Sequence, residues 1–164
     1  MSDKKCILLG APIGTGAGQK GCQLGPNTLR IAGIGEAIRG LGYELRDAGN
    51  VEPADVGEIH HSFRAKNLAK AVAWTEALQK ASYEVAKEGG FPIFLGGDHS
   101  VAFGTIPAVA QAAKDQGRPL FVLWIDAHTD YHALDTSESG NVHGMPVAYI
   151  TGDPSFDEYF PKLS

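Results

Sequence analysis

Residues 121–145 read FVLWIDAHTDYHALDTSESGNVHGM. Five apolar residues run into Asp126, and Asp126, His128 and Asp130 then alternate at i, i+2, i+4. If the strand continues through them, this spacing places all three side chains on one face. Two carboxylates and an imidazole crowded on one face repel or protonate when bare. A divalent cation removes that conflict and suits mixed nitrogen and oxygen donors. The run Pro119–Ile125 is continuously apolar, which predicts a central parallel strand covered on both faces.

A second stretch of the same design lies upstream. Ile93–Ser100 reads IFLGGDHS, an apolar strand followed by two glycines, Asp98 and His99. An open α/β sheet builds its site at the carboxyl ends of its strands, and both stretches offer His and Asp there. Taken singly, each piece has a plainer reading: DxHxD as a solvated loop, GGDHS as a tight turn before a helix. Two such pieces, each directly after an apolar strand, favour a metal site with His99, Asp126, His128 and Asp130 as ligands. Asp98 next to His99 is expected either to orient an imidazole or a loop amide, or only to shape the turn.

Outward from these stretches the pattern alternates. Lys5–Gly10 (KCILLG) predicts a buried first strand. Residues 11–25 hold glycines without a helical period, so they predict a long loop, either flexible or forming a rim over substrate. GTGAG within it is no phosphate loop, because no GK[ST] follows. Pro26 suits a first helical turn, and Asn27–Arg39 follows as a helix, with Arg30 expected in a structural ion pair. Tyr43–Asp47 predicts a second strand. Residues 49–66 are polar and mixed; adjacent His60 and His61 make a poor chelate and predict a solvated loop.

Asn67–Lys87 is the clearest helix, with Leu68, Ala71, Val72, Leu78, Ala81 and Val85 at three- and four-residue steps and Trp74 expected in the core. Pro92–Leu95 predicts a strand, and Val101–Gln116 a helix that Pro107 interrupts or restarts. A short helix from Pro146 to about Ile150 precedes TGDPSFDEYFPKLS, a polar, turn-rich tail. The order predicts a three-layer α/β/α fold with a mainly parallel sheet, one domain across residues 1–164.

Composition excludes some partners. A net charge of -5 argues against nucleic acid and anionic membranes. No apolar run approaches the roughly 18 residues of a membrane span. The start, MSDKKCILLG, is too short in apolar residues for a secretory signal. Two cysteines form no disulfide framework, and a reducing, cytoplasmic compartment is expected.

GGDHS, WIDAHTD and SGNVHGMP, in this order and at these separations, resemble the ureohydrolase (arginase–agmatinase) family, and within it the arginase branch. Gly10–Arg30 also resembles the family's amino-terminal loop. The match runs over nearly the whole chain and covers about half of a typical member; the later metal-binding aspartates have no counterpart here. The expectation is therefore an arginase-like fold incomplete at its carboxyl end.

The resemblance implies two manganese ions: His99 and Asp130 on one, His128 on the other, Asp126 bridging. It implies hydrolysis of L-arginine to L-ornithine and urea, with His143 as a proton shuttle and Asp130 accepting a hydrogen bond from the attacking water. Ser137, Ser139 and Asn141 match positions that bind the substrate's carboxylate and amino ends, which favours arginine over agmatine. His132 stands where many arginases carry an asparagine that contacts the carboxylate; an imidazole can also donate, and attracts the carboxylate more strongly when protonated. Another guanidino or formimino hydrolase, and a non-catalytic fragment, are the alternative readings. With four ligand residues for two ions, residues 1–164 alone are expected to turn over little or nothing, and to associate as a homo-oligomer through uncovered apolar surface.

Overall fold

The computed structural model describes residues 5–163. Strands β1 (Lys5–Ala11), β2 (Glu44–Asn50) and β3 (Phe91–Gly96) form a parallel sheet in the order β2-β1-β3. The central strand β1 is apolar on both faces because helices cover both. Ile7 and Leu9 pack with Leu78 and Val85 of helix α3 (Leu68–Lys87). Cys6 and Leu8, pointing the other way, pack with Leu95 of β3 and Ile38 of helix α2 (Ile34–Gly40). Helix, sheet, helix is the expected three-layer arrangement.

Local chemistry sets the remaining elements. The single helix expected over Asn27–Arg39 is two: α1 (Gly25–Ile31) and α2, parted at Gly33. Gly33 has φ 91, a left-handed conformation that glycine adopts without a Cβ clash and that no helix interior tolerates. Pro26 occupies the first turn of α1 as predicted. Arg30 makes its expected ion pair, donating to both carboxylate oxygens of Asp47 at 2.7 and 2.8 Å. That pairing holds the Asp47 carboxyl below the usual carboxylate range.

Helix α3 buries Leu68, Ala71, Val72, Thr75, Leu78, Ser82 and Val85, one stripe at three- and four-residue steps, with Trp74 half-buried against the sheet. Helix α4 (Val101–Asp115) continues through Pro107. Its Phe103 is fully buried in a cluster with Leu134, Met145, Tyr149, Phe156 and Phe160. Helix α5 (Pro146–Ile150) lies in the same cluster. Both cysteines are free.

Two sequence expectations are corrected. Residues 119–125 are not the central strand: they form no ladder, and Phe121, Leu123 and Ile125 are exposed. A strand needs a hydrogen-bonded neighbour, and among the described residues this run pairs with none of the three strands, including the open edge of β3. The tail is not a polar appendage either, since Phe156 and Phe160 are buried. His60 is exposed as expected, whereas His61 packs between Phe63 and Tyr159, with ring centroids 6.3 and 6.5 Å away.

Candidate metal centre and substrate loop

The turn after β3 carries Gly97, Asp98 and His99 to the sheet's carboxyl edge. The His99 ring stacks on Trp124, centroids 4.6 Å apart, so the end of the unpaired run still meets the end of β3. His99 Nδ1 lies 3.0 Å from Asp126 Oδ2 and 2.7 Å from Asp130 Oδ2. One atom from each of the three residues can be chosen so that all lie within 4.8 Å of one another.

Asp126 and Asp130 meet by a local geometry other than the extended strand their spacing suggests. Residues 126–128 are a bend, not an extended strand, and the His128 backbone N–H donates to Asp126 Oδ1 at 2.9 Å. That donated N–H is the main reason the Asp126 carboxyl sits below the usual carboxylate range; the imidazoles of His99 and His128 add to it. Asp130 has φ 46, an uncommon left-handed conformation for a residue with a Cβ. It is held there from both sides: Val147 N–H donates to the Asp130 carbonyl at 3.0 Å and His132 N–H to the Gly144 carbonyl at 3.2 Å. Strain fixed this way is a common accompaniment of functional geometry. The bend turns His128 outward. Its ring is exposed, with Nδ1 3.6 Å from Asp126 Oδ1, and it stands outside the three-residue group.

One imidazole nitrogen shared between two carboxylates is a donor set that fits a divalent cation. The chosen ligand atoms lie within 4.8 Å of one another, and a bound cation would relieve the repulsion of the two carboxylates without protonating either.

Asp98, buried, is not part of this group. Its Oδ2 accepts from Gly16 N–H at 2.7 Å and Ala17 N–H at 3.1 Å, and its Oδ1 from Ser100 N–H at 3.0 Å. Of the roles open from sequence, it holds loop amides and shapes its own turn, and among the described residues its oxygens accept from no imidazole.

The segment 137–144 carries the other residues expected at the site. Ser137 Oγ accepts from Gly140 N–H at 3.1 Å and Ser139 Oγ from Asn141 N–H at 3.2 Å. Each hydroxyl keeps its own proton for a further acceptor. Asn141 donates to the Ala17 carbonyl at 3.4 Å. His143, half-buried in the turn Val142–Gly144, donates its backbone N–H to the Gly16 carbonyl at 3.4 Å. The His132 residue is exposed.

Lys66, read from sequence as part of a polar loop, and Asn67, read as the first residue of the following helix, make contacts here too. Lys66 N–H donates to the Gly140 carbonyl at 2.8 Å and its Nζ to Asn141 Oδ1 at 3.3 Å. Asn67, with φ 55, donates to the Thr15 carbonyl at 2.9 Å. An asparagine directly before a strongly periodic helix was the available signal, since Asn tolerates the left-handed conformation.

Among the described residues no helix is long and apolar enough to cross a membrane. The chain is 54% identical over 160 residues to an arginase of Brucella melitensis, an overlap of 97% of this chain and 52% of the relative. Its structure resembles the arginase of Bacillus caldovelox, with 34% identity, a TM-score of 0.81 and coverage of 97% of this chain and 52% of that one. It also resembles the Entamoeba histolytica arginase in complex with L-ornithine, with 26% identity, a TM-score of 0.81 and coverage of 100% and 56%. The chain thus spans about half the length of the relatives it matches. Residues 4–159 match the family model described as Arginase family, and the chain belongs to that family.

Proposed function

We propose that this chain carries metal-binding and substrate-binding elements of a manganese-dependent arginase, which hydrolyses L-arginine to L-ornithine and urea. The observation that supports it is the convergence of His99, Asp126 and Asp130 in a family member. These three would hold one ion, and Asp126 with His128 the second. When bound, the pair of ions supplies Lewis acidity and lowers the pKa of water, so a nucleophile for the guanidinium carbon exists at neutral pH. Asp130 accepts a hydrogen bond from that nucleophile and steers it. As the carbon–nitrogen bond breaks, His143 gives a proton to the departing amine of ornithine, a role suited to an imidazole near neutral pH. Ser137, Ser139, Asn141 and His132 receive the carboxylate and amino ends of the substrate. A carboxylate reader gives preference for L-arginine over agmatine, because donors left unpaired by agmatine cost about 1–3 kcal/mol each.

Manganese titration of residues 1–164 tests the first claim. At least one ion is expected to bind, and Asp126→Ala with Asp130→Ala is expected to abolish binding. A chain that takes up no manganese, or a double variant that binds it unchanged, would remove the metal centre. The ligands in hand underfill two coordination spheres, so slow or absent urea release is expected from these residues alone. In a chain of the relatives' length, His143→Ala should lower turnover by about 100- to 10,000-fold with bound manganese unchanged. Manganese lost in step with activity would make His143 a ligand instead. Equal specificity constants for arginine and agmatine would refute the carboxylate reading.

A further inference from the structure

The loop 14–17 sits between two functional segments and touches both. On one side its Gly16 and Ala17 amides are gripped by a single oxygen of buried Asp98. On the other side its carbonyls receive the chain that bears the shuttle and the amide reader: His143 N–H on Gly16, Asn141 Nδ2 on Ala17. The neighbouring carbonyl of Thr15 is held by Asn67. The grip is tight. A Cβ built on Gly16 would run into Ser100 Oγ and come within 3.1 and 3.2 Å of the two Asp98 oxygens. Only glycine lets the loop approach this closely. A buried carboxylate accepting three backbone N–H groups is satisfied by them and needs no cation of its own.

We infer that Asp98 is a positioning residue for the amino-acid end of the site: through residues 15–17 it sets where Asn141 and His143 stand, and it does not act through the adjacent ligand His99. The inference rests on the proposed arginase reading for its ligand, L-ornithine, but its geometric half stands without that reading. Asparagine at position 98 keeps one acceptor oxygen and replaces the other with a donor. Either the Gly16–Ala17 grip or the Ser100 turn must then open.

The test compares Asp98→Asn and Gly16→Ala with the unaltered chain. Gly16→Ala forces the same grip apart without touching a charge, and serves where Asp98→Asn does not fold. Amide hydrogen exchange should accelerate together at Gly16, Ala17 and His143 in both variants. L-ornithine affinity in the presence of manganese should fall about tenfold, the scale of one buried hydrogen bond lost. Manganese affinity should stay within twofold. Faster exchange at Gly16 and Ala17 with His143 exchange and ornithine affinity unchanged would show Asp98 to be only a turn-maker. Manganese and ornithine affinity falling in parallel would show that it acts through His99. An unaltered chain that binds no L-ornithine would count against the proposed function, while the exchange pattern would still decide the positioning role. Uncoupled exchange would overturn that role whether or not ornithine binds.

Discussion

Residues 119–125 and residues 151–163 reverse each other's appearance. PLFVLWI is among the most apolar runs in the chain, yet Leu123 and Ile125 are 84% and 87% exposed. TGDPSFDEYFPKL mixes charge, turn residues and aromatics, yet Phe156 is 1% exposed. The difference is the number of surfaces each meets. The tail starts with an Asp–Pro turn in which the Asp153 side chain accepts from Ser155 N–H at 2.9 Å. That turn sets Phe156 and Phe160 four residues apart on one face, against Phe103 at centroid distances of 6.1 and 5.1 Å. Among the described residues the apolar run has no such receiving surface and no strand paired with it. Average hydrophobicity states how much a segment gains from burial; it does not say whether a partner is there.

The largest expected effect tests the buried half. Phe156→Ala should destabilise the chain by about 3–5 kcal/mol, the range for a core phenylalanine, whereas Phe121→Ala should stay within about 0.5 kcal/mol. Urea midpoints for the two variants decide it. Equal losses would mean that residues 119–125 are covered in solution, and the contrast would collapse.

The next effect tests whether the exposed run is tied down at its end. Trp124 and Asp126 both contact His99 in the turn that follows β3. Manganese at the proposed centre would join the two, and at a hundredfold excess over its Kd should stabilise the chain by about 2.7 kcal/mol. Thermal shifts with and without manganese measure it, and Trp fluorescence should change with the same midpoint. A shift that survives Asp126→Ala would place the ion elsewhere.

How legible all this was follows from the same physics. The period of α3 and the apolar faces of β1 were readable because helices and a central strand write their partners into their own spacing. The break at Gly33 was less so, since a glycine inside a helical pattern is compatible with either outcome. At the site, His99, Asp126 and Asp130 could be named from two motifs, but the bend that turns His128 out depends on a backbone N–H to Asp126, which no side-chain pattern encodes. Lys66 reaches Asn141 through a contact far apart in sequence, with nothing local to mark it, whereas the position of Asn67 just before a periodic helix hinted at its left-handed turn but not at its bond to Thr15.

A smaller effect lies inside the aromatic cluster. Tyr149 accepts from Gln79 at 3.0 Å and donates to the Pro161 carbonyl at 2.6 Å, pinning the tail to α3. Burial pushes its hydroxyl up to about 12 from an ordinary 10. A pKa raised on folding means that the neutral form is the one the fold favours. The contribution is complete below about pH 10 and is lost as pH rises through 12. Tyr149→Phe should therefore cost about 1 kcal/mol at neutral pH. The gap between variant and parent should close in alkali, because phenylalanine has nothing to ionise. A gap independent of pH would mean that the hydroxyl is solvated and the tail less firmly docked.

The smallest effect on stability carries a second readout. Leu123→Lys and Ile125→Lys place charges where the side chains already meet water, so each should change stability by no more than about 0.5 kcal/mol. Phe121, Leu123 and Ile125 are nonetheless exposed apolar side chains, and β3 has an edge with no strand partner among the described residues. Such surface drives chains together, and a lysine on it opposes that association. Sedimentation of the parent at rising concentration should show self-association, and the Leu123→Lys, Ile125→Lys double variant should shift toward monomer with its urea midpoint unchanged. A double variant that both unfolds early and stays associated would mean that these side chains are core after all, and that the exposed run and the buried tail do not differ in the way their surroundings imply.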